Sequence, residues 1–152
     1  MVQGVYSDYG YSSGLSWNCG CMWFGTLRNV LSGATIRSAS LTVYRKPGNG
    51  SFYARTIYLY AISNTTASGT PTLVANFGAL GVIGRAESVT FSIPVQLVQG
   101  LNSGAYAGLA LYESPYNFGG ANWSDNYLRL AGTDDTVNRP LLQVVYTSAA
   151  VG

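Results

Sequence analysis

Histidine is absent from this chain, lysine occurs once, at position 46, and Asp and Glu together number 6. Each shortage removes a class of chemistry. Imidazole is the usual general base and the commonest metal ligand near neutral pH, so its absence excludes Ser-His-Asp and Cys-His nucleophilic catalysis and most zinc chemistry. The acids that a glycosidase pair would need, drawn from Asp8, Glu87, Glu113 and Asp125, are spaced so that nothing brings two together. Phosphate loops, dinucleotide motifs, heptads and internal repeats are missing as well. The expectation is of a protein that holds or binds and is not an enzyme.

Charged residues are 9% of the sequence, against about 25% in ordinary globular chains, so solubility must rest on Ser, Thr, Asn, Gly and tyrosine hydroxyls. The net charge of +2 comes from Lys46 and scattered arginines. Counterion-release binding needs a clustered basic stripe, so nucleic acid is not expected as a partner. No run approaches the roughly eighteen apolar residues of a membrane helix, and no membrane partner is expected. Residues 1–14 are polar and glycine-rich, without the basic start and apolar run of a Sec signal.

Cysteine is limited to Cys19 and Cys21, on either side of Gly20. A disulfide across one residue closes a strained loop, and two thiols without histidine or a second pair make an incomplete metal site. Structural thiols, a labile disulfide and an intermolecular link stay open at this stage. Met22, Trp23 and Phe24 follow directly, which points to burial or an interface. Asn64-Thr65-Thr66 and Asn122-Trp123-Ser124 match the glycosylation sequon, a short pattern that arises readily by chance in such a composition.

What the chain has in quantity is material for strands and turns: 12 Tyr, 5 Phe, 3 Trp and 19 Gly. From 36 to 46 the residues alternate, with Ile36, Leu41 and Val43 inward and Thr42 and Tyr44 opposite, before Pro47-Gly48-Asn49-Gly50 breaks the run. From 55 to 62, Ile57, Leu59 and Ala61 oppose Tyr58, Tyr60 and Ile62. Further strands are expected at 72–77, 88–93, 106–113, 126–130 and 141–147, with a short helical turn at 95–101. Tyrosines 44, 58, 60, 106 and 112 are expected to face outward, where a phenol offers both apolar area and a hydroxyl. About seven or eight short strands with polar connections in one domain of 152 residues predict an all-β fold, an antiparallel β-sandwich or jelly roll.

Two segments resemble a known family. Phe24-Gly25-Thr26-Leu27 followed by Leu31-Ser32-Gly33-Ala34-Thr35-Ile36-Arg37-Ser38-Ala39-Ser40-Leu41-Thr42-Val43-Tyr44 is similar to the opening of DNRLRE-type jelly-roll modules. Asn138-Arg139-Pro140-Leu141-Leu142-Gln143-Val144-Val145-Tyr146 is similar to their terminal strand. The resemblance spans 24–147 and consists of strand and turn residues. It implies a carbohydrate-binding-like jelly roll of the kind found in cell-surface proteins and in virion proteins of tailed bacteriophages.

The organisation expected is a Gly/Ser/Tyr-rich arm over 1–23, a sandwich over 24–148 and a tail over 149–152. An arm of this composition orders against a neighbouring subunit, with Tyr6, Tyr9, Tyr11, Trp17, Met22 and Trp23 as interface candidates. The functional expectation is a structural protein made in the bacterial cytoplasm and exposed on a phage particle, as a capsid decoration protein, head fibre or tail receptor-binding module. Its partners would be other virion proteins and copies of itself, with a trimer favoured.

The rival reading is a carbohydrate-binding module. Aromatic faces stack on pyranose rings while Asn and Asp bind hydroxyls, so Tyr112, Tyr116, Phe118, Asn122, Trp123 and Asp125 are its candidates, with a host cell-surface glycan as ligand. No cofactor is expected. Asp134 and Asp135 supply clustered oxygens that a structural calcium could use, although aspartates before a final strand also serve turn geometry alone.

Overall fold

A computed structural model describes residues 3–6, 20–25, 27–46, 55–66, 71–84, 87–112, 130–132 and 135–148. The described elements are β1 (Gln3–Tyr6), β2 (Gly20–Trp23), α1 (Leu27–Leu31), β3 (Thr35–Tyr44), β4 (Arg55–Ile62), β5 (Leu73–Ile83), β6 (Ser88–Ile93), α2 (Val95–Ser103), β7 (Gly108–Tyr112) and β8 (Leu141–Thr147). They build two antiparallel sheets, one of five strands in the order β1-β2-β7-β4-β5 and one of three in the order β6-β3-β8. The all-β sandwich expected from alternation is the fold observed. Among the described strands, successive ones lie in different sheets after β2, β3, β5, β6 and β7 and in the same sheet at β1–β2 and β4–β5, a traffic unlike that of a simple meander.

One core lies between the sheets. Met22, Ile57, Leu59, Ala61, Leu109 and Leu111 point into it from the five-stranded sheet, and Ile36, Ala39, Leu41, Val43, Phe91 and Ile93 meet them from the other. Alternation explains most of these positions, but Ile36 and Leu41 have opposite parity and would lie on opposite faces of an unbroken strand. The register of β3 against β8 shifts between Ile36 and Ser38, and this bulge turns both side chains inward.

α2 closes one end of the core with Leu97, Val98 and Leu101. It is longer than the turn expected at 95–101 and stops at Gly104, whose N–H donates to the Gly100 carbonyl at 3.0 Å. Any side chain at Gly100 would collide with the Tyr106 ring, which stands edge-on to Phe77 at 6.1 Å. α1 was not anticipated. It is 5 residues long and buries only Leu31, too short for a helical period to register.

Several strand boundaries move, among them those of β3, which runs Thr35–Tyr44 where 36–46 was expected. β5, expected to end at Phe77, runs on to Ile83 through Gly78 at φ 77° and Gly81 at φ 152°. Those glycines sit where the register with β4 shifts, so they act as bulges within a strand and not as its end. β7 begins at Gly108 and not at Tyr106. The strand expected over 126–130 lies mostly outside the described residues; its last residue, Leu130, bridges Arg45. In the segment before Phe24, Gln3–Tyr6 and Gly20–Trp23 are strands of the larger sheet, while 149–152 lie outside the described residues.

Candidate functional site

The outer face of the five-stranded sheet carries most of the described aromatic side chains that the sequence singled out. Pairing fixes its rows: Tyr58 lies opposite Tyr112, Tyr60 opposite Ala110, and Ile62 opposite Gly108, with Cys21 beside Ala110 on the other flank. Because residues two apart share a face, Gly108, Ala110 and Tyr112 form a line along β7, small at one end and aromatic at the other. The Trp23 indole lies over Gly108, where a Cβ would approach its Cδ1 to 3.0 Å. Its Nε1–H donates to the Asn64 carbonyl at 2.6 Å. Tyr60 and Tyr112 meet edge to face at 5.4 Å and 84°, the geometry that aromatic quadrupoles favour.

This face is not open to water. Cys21, Tyr60, Ile62 and Ala110 are buried in a second apolar cluster, with Trp23, Tyr58, Leu73 and Tyr112 packed against it. The outward tyrosines of the sequence reading therefore need correction. Tyr60 is 5% exposed, and Tyr44, Tyr58, Tyr106 and Tyr112 are half-buried. Strand alternation separates two faces but does not say which of them meets solvent. Cys21 is buried in this cluster, 7% exposed. Cys19 lies outside the described residues.

Of the ligand-binding candidates, Tyr112 stands at the end of β7, held in the aromatic cluster. Tyr116, Phe118, Asn122, Trp123 and Asp125 lie outside the described residues. Among the interface candidates, Tyr6 is the last residue of β1, paired with Gly20; Tyr9, Tyr11 and Trp17 lie outside the described residues. Met22 is 2% exposed in the core, so its side chain packs between the sheets and is not on a surface that a neighbour could touch. Trp23 is half-buried and spends its indole N–H within the chain. Asn64, the first sequon asparagine, uses its Oδ1 to accept the Thr72 N–H across the β4–β5 connection.

Asp134 lies outside the described residues. Asp135 Oδ1 accepts the N–H groups of Val137 at 3.0 Å and Asn138 at 2.9 Å. These bonds, first that from Asn138 and then that from Val137, hold its carboxyl below the ordinary value of 3.8. They also shape the turn that delivers Pro140 to β8, the turn-forming alternative to calcium. Among the described residues no group of three His, Cys, Asp or Glu side chains could hold a metal.

The outer face of the three-stranded sheet was not singled out from sequence. β3 and β6 place Thr42 opposite Thr90, Ser40 opposite Ser92 and Tyr44 opposite Ser88. β8 adds Gln143 beside Ser40, Leu141 beside Thr42 and Val145 beside Ser38. The Thr42 and Thr90 hydroxyls hydrogen-bond at 2.7 Å. Serine and threonine thus fill the β3 and β6 rows of this face up to Tyr44, while the β8 row carries Gln143 between the exposed Leu141 and Val145 and ends at Thr147, whose hydroxyl accepts from Arg37 Nε at 3.1 Å. The signal was present as Ser-Xaa-Ser-Xaa-Thr at 38–42 and Ser-Xaa-Thr-Xaa-Ser at 88–92.

Arg45 was also missed. It is 2% exposed, the one buried charged residue among those described, and its Nη1 donates to the Ile83 and Gly84 carbonyls, each at 3.4 Å. Its backbone N–H donates to the Glu87 carbonyl at 3.0 Å, so this one residue ties the end of β3 to the β5–β6 connection. Ala39, Leu41, Val43 and Arg45 share a parity, so alternation itself aims the guanidinium inward.

Compared with known proteins, the sequence matches no family model and no curated protein.

Proposed function

We propose that this chain is a non-enzymatic structural protein exposed on the particle of a tailed phage, as a capsid decoration protein, a head fibre or the receptor-facing module of a tail. The observation that carries the reading is the band of hydroxyls across β3 and β6 on the outer face of the three-stranded sheet, formed by Ser38, Ser40, Thr42, Ser88, Thr90 and Ser92 and flanked by Gln143 of β8. Hydroxyls both donate and accept, so such a face makes contacts without the desolvation cost of buried ions. An exposed sheet face of this kind suits contact with a broad partner better than it suits enclosure of a small substrate. The complete lack of histidine and the resemblance to DNRLRE-type modules support the same assignment.

Mass spectrometry of purified particles that encode the chain tests it. The expected result is a fixed copy number per particle, with antibody labelling on the outside. Absence from washed particles, or hydrolysis of a glycan or ester with ordinary turnover by the purified chain, overturns the proposal.

A second reading, carbohydrate binding, is favoured by one observation: Tyr112 is fixed edge-on to Tyr60 at the end of β7, where the chain enters the aromatic segment 113–125. A host-polysaccharide array decides it. Binding abolished by Trp123→Ala and Tyr116→Ala supports this reading, and no glycan signal on the array removes it.

A further inference from the structure

Among the described residues β5, β6 and β8 each pair on one side only, and these three edges are not alike. β5 is interrupted by register shifts at Gly81 and Gly78, the kind of bulge with which proteins blunt an edge. β6 presents the exposed hydroxyls of Ser88, Thr90 and Ser92. β8 has neither protection. Among the described residues it pairs with β3 alone, its sequence LLQVVYT contains no charge and no proline, and Leu141, Val145 and Tyr146 are 53%, 57% and 41% exposed. An uncharged, uninterrupted edge that shows large apolar side chains is a template for another strand.

The order of residues along β8 identifies that strand. Leu141-Leu142-Gln143-Val144-Val145 reads alike in both directions about Gln143: apolar, apolar, amide, apolar, apolar. We propose that β8 pairs antiparallel with β8 of a second copy about a twofold axis through Gln143, joining two three-stranded sheets into one of six.

In this register Leu141 lies opposite the partner's Val145 on the outer face. Leu142 lies opposite the partner's Val144 on the inner face, where both already pack against the core. The Gln143 amides meet on the axis, each able to donate and accept. A contact of this kind is isologous: each surface meets its own copy, so pairing closes at two. The hydroxyl rows of β3 and β6 from both protomers then lie on one side of a continuous sheet, flanking the paired Leu141 and Val145 side chains of the two β8 strands. The twofold takes the place of the trimer expected from sequence, because a threefold ring would need two different edges to meet. The inference is independent of where the protein sits on a particle.

The test uses the full-length chain with Cys19→Ser. Residues opposite each other in an antiparallel pair have Cα atoms about 4.5–5.5 Å apart, within disulfide reach. Gln143→Cys should therefore give a covalent dimer about tenfold or more faster than Ser92→Cys, a thiol at another exposed position on the β6 edge, because pairing raises the local thiol concentration. Sedimentation of the chain without added cysteines should show a concentration-dependent monomer–dimer equilibrium. Val145→Lys and Leu141→Lys should shift it to monomer, with melting temperatures that match the parent's at concentrations where the parent is monomeric, since both positions are exposed. A monomer at every concentration overturns the proposal. So does an oligomer that both lysine variants leave intact, or equal cross-linking rates for the two cysteine variants.

Discussion

Arg45 shows how a single residue can be legible in the sequence and still be passed over. Its parity with Leu41 and Val43 aims it into the core, but counting arginines as scattered surface charge hides that. Arg45→Met keeps the aliphatic stem and removes the donors to the Ile83 and Gly84 carbonyls. It should destabilise the fold by about 1–3 kcal/mol in urea unfolding. Asp135 makes the complementary case, since its turn role could be read from sequence and is what its hydrogen bonds perform. Its carboxyl titrates below 3.8 in the folded chain, so it adds stability above that pH and loses it as pH falls through the folded value. Asp135→Ala should be less stable than the parent at neutral pH, with the two stability curves converging in acid. Asp135→Asn, which keeps an acceptor oxygen, should lose less and remove this part of the acid dependence. Unfolding midpoints measured from pH 2 to 7 distinguish the variants.

At the scale of elements, the strands with clean two-residue alternation were legible, β6 to its very ends, because one buried face leaves a period of two in the sequence. What alternation could not supply was the role of glycine inside β5. A glycine within a strand pattern can end it or bulge it, and the choice depends on whether β4 continues alongside. The two bulge glycines are not equivalent. Both hold φ angles that side chains rarely adopt, but a Cβ at Gly78 meets open space while one at Gly81 approaches Phe91 to 3.0 Å. Gly78→Ala should cost about 1–2 kcal/mol from backbone strain alone, and Gly81→Ala more, because the Phe91 ring must also move. Thermal unfolding of the two variants checks the order.

For the whole molecule, charge is too sparse to govern behaviour. With charged residues at 9%, the melting temperature should change little between about 0.1 M and 1 M sodium chloride, which screens ion pairs. Sulfate should raise it, because excluded salts strengthen apolar burial. A large rise in chloride alone would reveal charge repulsion that this composition does not predict. Fold class was readable at this scale because alternation and turn residues recur along the whole chain. The site was less so. Its candidates were chosen by chemistry, but chemistry alone did not say that Met22 points inward, that Tyr60 is covered, or that hydroxyls from β3 and β6 meet across a register set by long-range pairing.

The two sheets differ in a way that bears on the order in which they open. β4 and β7 have apolar clusters on both faces, with Leu59, Ala61 and Leu109 on one side and Tyr60, Ile62 and Ala110 on the other. β3, β6 and β8 have one such face. Amide exchange should therefore be slowest in β4 and β7, at the free energy of global unfolding, and faster along β8, whose opening breaks fewer apolar contacts. The double-faced sheet would act as a chassis: the thinner sheet could loosen, meet a neighbour and reclose while the chassis stays folded.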